Sequence, residues 1–288
     1  FLDKLEKTVN MTTTTVSDYT KAGDGSLQMT AADSYSATYD TAGNMVTYGT
    51  LNLYYDHENR LVHTHYTTDP SGNLDHWFRY DAFGRRMVEK VSATNTLFYY
   101  DRQHIIEETD SSLGLNRLSL LEVGIDKVIY SGDTDGSGNL TAHRWPLENH
   151  LGSIVLLVDD SAATKSNYTY LEYGEATNAG SEAYPYQFTG RRAIEGIYLL
   201  DFRTRAYDPY SGRFLQRDSI GIWGDENNFG NAYAYVGNDP TNKTDPLGTD
   251  GMEDCRACLD RDLPPDEASD CLNRCRGDNP LPPIGVPS

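Results

Sequence analysis

The chain has 288 residues, a formal net charge of −19 and 38% hydrophobic residues, including 21 tyrosines and 8 phenylalanines. This acidity argues against a nucleic-acid-binding protein, which needs Lys and Arg to neutralise phosphates, and against docking on an anionic membrane. No apolar run approaches the roughly 18 residues that a membrane-spanning helix needs.

The chain begins at Phe1, and its first ten residues lack a signal-peptide pattern. We therefore expect an excised piece or a processed product, with any export signal upstream. Residues 1–33 predict polar strands with a loop at 21–26. Because tyrosine buries a large ring and keeps a hydroxyl for water, the composition favours a sheet with one wet face.

A Tyr-Asp pair recurs along the chain, with Gly or Asn three residues after the Asp. Asp at the first position of a β-turn accepts hydrogen bonds from backbone amides, and Gly or Asn tolerates a positive φ. The combination predicts a type I turn followed by a G1 bulge, which joins antiparallel strands. The pattern begins at Tyr39-Asp40, Tyr55-Asp56 and Tyr80-Asp81, with a stretched copy at Tyr207-Asp208.

The spacing of these pairs predicts the fold class. Successive copies lie about 16 to 25 residues apart, which leaves room for two strands and two turns in each. A repeat of this size cannot bury its apolar face alone, so neighbouring copies are expected to stack side by side. The sequence therefore predicts a mainly β protein, an antiparallel ribbon of hairpins that curls into a partial shell.

Two further patterns suggest metal sites and are better explained otherwise. Residues 133–139 are rich in oxygen ligands, but Arg144 stands where a calcium loop needs an acidic residue, so we predict a turn. His63 and His65 share one strand face with His76 nearby in sequence, and exposed sheet histidines are more common than a metal site.

Three features together carry a family resemblance. They are the Tyr-Asp repeat, the segment NHLGS at 149–153, and a run at 186–248 that begins YQFTGRRAIEGIYLLDFRTRAYDP. Together they resemble the bacterial Rhs or YD-repeat proteins, and residues 186–248 resemble the repeat-associated core of that family. The resemblance covers residues 35–248.

This resemblance implies both a fold and a role. The implied fold is a hairpin ribbon that spirals into a hollow shell, closed at one end by the core and enclosing a C-terminal segment that is often a toxin. The implied location is secreted or on a bacterial cell surface, with roles in toxin delivery, competition or adhesion. We expect three regions: a YD-repeat sheet at 1–185, the core at 186–249, and a tail at 250–288.

The resemblance also implies an aspartyl protease that cuts its own chain just after the core. Such proteolysis needs two carboxylates that share a proton, so that one serves as acid and the other as base. In the family they lie in Asp-Pro-x-Gly-Leu boxes, which here read DSIGI from Asp218 and DPLGT from Asp245. Arg217 is a candidate to orient a carboxylate, or else to form a structural salt bridge. The expected cut follows Thr249.

Each box departs from the family pattern. Ser219 replaces Pro, Thr249 replaces Leu, and the boxes are further apart than expected, as if residues 223–229 held an insertion. Asp208 and Asp225 are further candidates for the carboxylates. The competing interpretation is that these aspartates only anchor turns beside Gly and Pro. No serine-nucleophile elbow, phosphate loop or zinc-protease motif occurs, and the sequence implies no cofactor.

The four cysteines of the chain all lie in the tail, at Cys255, Cys258, Cys271 and Cys275. Pairs at these spacings share a helix face, which predicts a small helical hairpin stapled by two disulfides. Antiparallel helices favour Cys255–Cys275 and Cys258–Cys271, although three connectivities are open. A four-thiolate zinc site is the alternative, and the oxidising location implied by the resemblance favours disulfides.

Three functional hypotheses follow. In the first, the chain is an Rhs-type shell that encloses or presents its own C-terminal segment or a protein partner, with self-cleavage after the core. In the second, it is a non-catalytic extracellular structural or adhesive protein that assembles through exposed sheet edges. In the third, it is a toxin-delivery precursor whose activity lies in the tail.

Overall fold

The computed structural model describes residues 4–9, 12–22, 27–32, 35–122, 127–135, 138–178, 182–194, 196–219, 228, 230–249 and 252–253. Within these residues the structure is almost entirely antiparallel β. The tail that carries the four cysteines, apart from residues 252–253, lies outside the described residues, and so does the predicted helical hairpin.

Seventeen strands form one sheet. Each strand pairs antiparallel with the next strand in the chain, so the ribbon is an uninterrupted meander. Among the described residues no pairing joins the first strand to the last, which leaves the shell open and confirms the predicted fold class. The strands are β1 Lys4–Val9, β2 Thr12–Lys21, β3 Met29–Ala32, β4 Tyr35–Tyr39, β5 Met45–Tyr48, β6 Leu51–Tyr55, β7 Leu61–Tyr66, β8 His76–Tyr80, β9 Arg86–Val91, β10 Thr94–Asp101, β11 His104–Thr109, β12 Leu115–Leu121, β13 Val128–Thr134, β14 Leu140–Glu148, β15 Ile154–Val158, β16 Thr164–Tyr170 and β17 Ala176–Asn178.

The Tyr-Asp turns have the predicted geometry. The residue three positions after each Asp has a positive φ, which is 90° at Gly43, 62° at Asn59 and 78° at Gly84. In all three turns its amide donates to the carbonyl of that Asp at 3.1 Å. The pairing register shifts in each of these hairpins, as a bulge requires. The prediction of bulged hairpins is therefore confirmed.

The tyrosine of the repeat has a role of its own, which is to join neighbouring hairpins. Its hydroxyl donates to the carbonyl of the first residue of an earlier strand in the ribbon. The bonds are Tyr55 to Met45 at 2.8 Å, Tyr80 to Leu61 at 2.6 Å and Tyr100 to Arg86 at 2.7 Å. Tyr170, which is followed by Leu171 and not by Asp, bonds the carbonyl of Ile154 in the same way at 2.7 Å.

An arginine four residues after the Asp strengthens the same connection. The Nε atom of Arg60 donates to Asp56 at 2.8 Å, and its guanidinium lies 5.0 Å from the ring centre of Tyr80, the tyrosine of the next repeat. Arg85 repeats this arrangement on Asp81 at 2.8 Å. The Asp56 and Asp81 turns are thereby each tied to the tyrosine of the following repeat.

A second, four-stranded sheet follows the ribbon. Its strands are β18 Arg192–Ile194, β19 Leu199–Phe202, β20 Arg205–Asp208 and β21 Arg213–Phe214. Short 3-10 turns lie at Phe188–Gly190 and Val236–Asn238. A last hairpin pairs β22 Lys243–Thr244 with β23 Met252–Glu253.

The second sheet packs against the ribbon through an aromatic core. Phe202, Tyr207, Phe214 and Tyr235 are fully buried and lie with ring centres 4.8 to 6.0 Å apart. The ribbon adds alternate, inward-facing residues such as Leu51, Leu53, Leu61 and Phe78 to the same cluster. Burial of this apolar surface is the main force that holds the two parts together.

Hydrogen bonds dock the core segment on the edge of the ribbon that carries the Tyr-Asp turns. The amide of Met45 donates to Leu215 at 2.9 Å, and the hydroxyl of Tyr233 donates to Gly43 at 2.8 Å. Buried ion pairs add to this contact. Arg86 lies 3.1 Å from Asp201, and Arg192 lies 2.8 Å from Glu108. In the part of the chain that the structure describes, no helix is long and apolar enough to cross a membrane.

Candidate functional site

Arg205, the first residue of β20, lies at the centre of the candidate site. Its side chain is 1% exposed, and its Nη2 atom contacts Oδ2 of Asp218 at 2.9 Å and Oδ2 of Asp245 at 3.1 Å. The guanidinium also stacks on Phe214, with its central carbon 3.5 Å from the ring centre. The structure thus brings the two carboxylates predicted from the sequence to one cation.

The backbone around each aspartate fixes its position. Asp218 follows β21, and its amide donates to the carbonyl of Ala232 at 3.1 Å. Asp245 follows β22, and its Oδ1 accepts the amides of Gly248 at 2.8 Å and Thr249 at 3.0 Å. Asp245 therefore anchors a turn, as the competing interpretation of the sequence expects, while its other oxygen faces Arg205.

Residues 245–249, here called the clamped segment, are held mainly through their backbone. The carbonyl of Pro246 accepts hydrogen bonds from the guanidinium of Arg191 at 3.3 Å and from that of Arg203. Both arginines also bond elsewhere: Arg191 donates to the carbonyl of Asp201 in β19 at 2.7 Å, and Arg203 donates to the carbonyl of Gln103 in the ribbon at 3.5 Å. These contacts recognise a peptide carbonyl, which every residue has.

Thr204 and Arg205 bond the next two carbonyls of the clamped segment. The hydroxyl of Thr204 donates to Leu247 at 3.0 Å and to Gly248 at 2.8 Å, and Nε of Arg205 donates to Gly248 as well. A Cβ atom on Gly248 would lie 2.6 Å from Oγ1 of Thr204 and against the carbonyl of Phe202. Only glycine fits this close approach.

The structure places the other candidates away from this pair. Arg217 is exposed, and its methylene groups lie over Gly43 in the ribbon, so the cation beside the carboxylates is Arg205. Asp208 is buried at the end of β20, where it accepts the amides of Tyr210 at 3.0 Å and Ser211 at 3.2 Å. Burial raises the pKa of Asp208. Asp225 lies outside the described residues.

Arg205 places one positive charge beside the two carboxylates of the site. Arg205 offsets the repulsion between the two carboxylates, which would otherwise favour a shared proton. Burial and then the charge of Asp245 raise the pKa of Tyr235, which keeps that hydroxyl protonated. Two neighbouring carboxyl groups can serve peptide hydrolysis when one is ionised as the base for water and the other is protonated as the acid for the leaving amine. Arg205 and Thr204 hold the carbonyl of Gly248, one residue before the expected cut.

Sequence reasoning named the carboxylates and missed the residues that surround them. Arg205 and Thr204, together with Arg191 and Arg203, were not predicted. The structure shows what the sequence could not, namely that all four residues of β20, from Arg205 to Asp208, are buried. A buried arginine almost always has a charged partner, so its presence in β20 points to the carboxylates.

The histidines and the cysteines do not extend the site. His63 and His65 both contact Asp75, at 3.4 Å and 2.8 Å, whereas His76 is buried on Glu89 at 3.0 Å. Among the described residues no group of three or more His, Cys, Asp or Glu side chains is arranged to hold a metal ion. The cysteines that could form the alternative zinc site lie outside the described residues.

Comparisons with known proteins agree with the β-shell fold. No family model matches the chain. The chain is 27% identical over 259 residues to the tRNA3(Ser)-specific nuclease WapA of Bacillus spizizenii, covering 85% of this chain and 10% of that protein. It is 28% identical over 190 residues to the probable deoxyribonuclease RhsB of Dickeya dadantii, covering 62% and 12%. These comparisons fit the Rhs family.

A solved structure shows a similar fold. The crystal structure of TcdB2-TccC3-Cdc42 matches with a TM-score of 0.61 at 18% identity, over 81% of this chain and 13% of that chain. At this identity the match shows a similarity of fold alone. The chain spans only about a tenth of the length of the curated relatives described here.

Proposed function

We propose that this chain forms part of an Rhs-type shell that encloses or presents its own C-terminal segment, and that it cuts itself after Thr249. The observation that carries the proposal is the meeting of Asp218, Asp245 and Arg205 beside the clamped segment. A secreted or bacterial cell-surface location belongs to the same proposal. It is supported by relatives that are named as nucleases and by a fold shared with a chain of the Photorhabdus luminescens Tc holotoxin pore.

The geometry supports a cut at this place because the peptide is already positioned. Asp245 bonds the amides of Gly248 and Thr249, so a carboxylate lies on the residue just before the bond that would break. Arg205 and Thr204 hold the preceding carbonyl. Holding reacting groups in place converts a slow bimolecular hydrolysis into an intramolecular step, which is worth several orders of magnitude in rate.

Intact-mass spectrometry of the freshly purified chain tests this proposal. The expected wild-type products end at Thr249 and begin at residue 250. Asp218→Asn and Asp245→Asn should each leave the chain intact, because an amide can neither accept nor supply the proton. Asp110→Asn, which keeps the shape of a turn between β11 and β12, is the matched control and should cleave as the wild type does.

A second candidate function is a non-catalytic structural or adhesive surface protein. It is favoured by two observations: the carboxylates share a cation, and Asp245 already anchors a turn. In that case the site only fastens residues 245–249 to the core. An intact wild-type chain, folded and unchanged after prolonged incubation over a range of pH, would support this function and reject self-cleavage.

A further inference from the structure

We propose that a cavity between the ribbon and the core segment binds a small oxyanion of the phosphate or sulfate class. The cavity has a volume of about 50 Å³. Its ribbon wall includes the end of β10, the start of β11 and the turn between them, and its other wall includes residues 190–192 with Asp201 and Arg203. This inference is independent of the proposed self-cleavage.

The charged side chains that line this cavity are mainly cationic. Three of them are arginines, Arg191, Arg192 and Arg203, and one is an aspartate, Asp201. The carboxylate of Asp201 already has other partners, since its Oδ2 lies 3.1 Å from Arg86 and its Oδ1 accepts the amide of Arg203 at 2.8 Å. In a chain with 43 acidic and 24 basic residues, a cluster of this sign is a local feature, and it favours an anionic ligand.

Two of these arginines are held in place by backbone carbonyls. Arg191 donates to the carbonyl of Asp201 at 2.9 Å and 2.7 Å and to that of Pro246 at 3.3 Å. Arg203 donates to the carbonyl of Gln103 at 3.5 Å. These bonds fix the direction of each guanidinium, but a carbonyl is a dipole without net charge and does not neutralise a cation. An oxyanion between the two walls would supply a negative charge to both arginines.

Arg192 adds a donor that needs an acceptor. Its two terminal nitrogens bond Glu108 at 2.8 Å and 3.0 Å, whereas its Nε atom is buried and has no hydrogen-bond partner among the described residues. A buried donor without an acceptor is unfavourable, because it has lost its bond to water and gained none in return. An oxygen atom in the adjoining cavity would satisfy this donor.

The volume of the cavity restricts the ligand to a small one. A buried water needs about 15 Å³ of cavity volume, so a cavity of about 50 Å³ holds three or four oxygen atoms. Phosphate and sulfate each have four oxygens, and the planar fork of an arginine matches the spacing of two of them. A nucleotide or a sugar phosphate is too large to fit inside.

Calorimetric titration of the folded chain with inorganic phosphate, at neutral pH and constant ionic strength, tests this site. We expect saturable binding of one phosphate per chain. Because the ligand joins the two walls, phosphate at about ten times its dissociation constant should raise the midpoint of thermal unfolding by about 3 to 5 °C. Sodium chloride at the same ionic strength should not raise it.

Two arginine variants locate the binding. Arg203→Gln removes one cation of the cavity, and we expect it to weaken phosphate binding about 10-fold or more. Arg85→Gln is the matched control, because Arg85 also donates to a ribbon carbonyl, that of Arg102 at 2.8 Å, but does not line the cavity. The control should bind phosphate as the wild type does. The comparison separates this site from the general effect of charge and from the general stabilisation of proteins by phosphate salts.

Saturable binding that Arg203→Gln weakens and Arg85→Gln leaves unchanged supports the site. The inference is overturned if the wild type and Arg203→Gln bind equally, or if the wild type shows neither a saturable heat nor a larger phosphate-dependent rise in midpoint than Arg203→Gln. If Arg203→Gln does not fold, Arg203→Lys takes its place. The lysine keeps the charge and loses the planar fork, so it should bind about 3-fold or more weakly, and binding equal to that of the wild type overturns the inference as well.

Discussion

The docking of the core segment on the ribbon can be tested with two glycines that occupy the same place in the repeat. Gly43 and Gly84 both follow their Asp by three residues and have φ values of 90° and 78°. An alanine at either position costs about 1 kcal/mol or slightly more, because its Cβ is strained at positive φ. The local cost is thus matched, and any difference must come from tertiary contacts.

Those contacts differ sharply between the two sites. A Cβ on Gly84 would meet nothing within 4 Å, whereas a Cβ on Gly43 would lie 2.7 Å from Cγ of Arg217 and 2.8 Å from the hydroxyl of Tyr233. That hydroxyl also donates to the Gly43 carbonyl. Losing this hydrogen bond costs about 1 kcal/mol, and forcing the side chains apart costs about 1 kcal/mol more. We expect about 3 kcal/mol for Gly43→Ala and about 1 kcal/mol for Gly84→Ala.

Urea unfolding at constant pH measures both values, provided that the slope of the free energy against urea is the same in each variant. The double variant Gly43→Ala with Arg217→Ala adds a local check. Removing the arginine side chain relieves one of the two close contacts, so the pair should cost less than the sum of the single changes. Equal destabilisation by Gly43→Ala and Gly84→Ala would refute the docking of the core segment on this turn.

Two further predictions concern the ribbon itself. Tyr80→Phe removes the hydroxyl that bonds the carbonyl of Leu61, and we expect the free energy of unfolding in urea to fall by about 1 kcal/mol. The control Tyr54→Phe, at an exposed ring, should change this free energy by less than about 0.5 kcal/mol. Equal effects of the two changes would count against the hydroxyl bond. Burial alone would raise the pKa of Glu108, but the charges of Arg192 and Arg117 and the hydrogen bond from Arg192 together outweigh it, and the pKa is lowered. The stabilisation is therefore present above the unfolded-state pKa of about 4.3 and is lost as the pH falls through the lower, folded-state pKa. Between pH 5 and about pH 3, the free energy of unfolding should fall more in the wild type than in Glu108→Gln, and parallel falls would contradict this.

The turns of the ribbon could be predicted because their causes are local. Asp40, Asp56 and Asp81 each accept hydrogen bonds within their own turn, and the residue three positions on takes a positive φ. These interactions involve neighbours in the chain, so the sequence pattern contains them. The hairpin meander and the mainly β class follow from this local geometry and from alternating apolar residues.

The candidate site could be predicted only in part. Asp218 and Asp245 were found through their boxes, but nothing in the local sequence joins them to Arg205, which comes 13 residues before Asp218 and 40 before Asp245. Arg217 is adjacent to Asp218 in the chain and was the natural candidate for its partner. Its side chain instead lies over Gly43 in the ribbon.

The sequence by itself determined the repeating unit: aspartate-anchored turns, bulged hairpins and the tyrosines placed between them. All of these depend on bonds between residues close together in the chain. Only the tertiary structure decided which cation lies between the carboxylates, which turn receives the core segment, and which backbone carbonyls the arginines hold. These contacts join residues far apart in the chain, and they form only when burial of the aromatic core brings the second sheet against the ribbon.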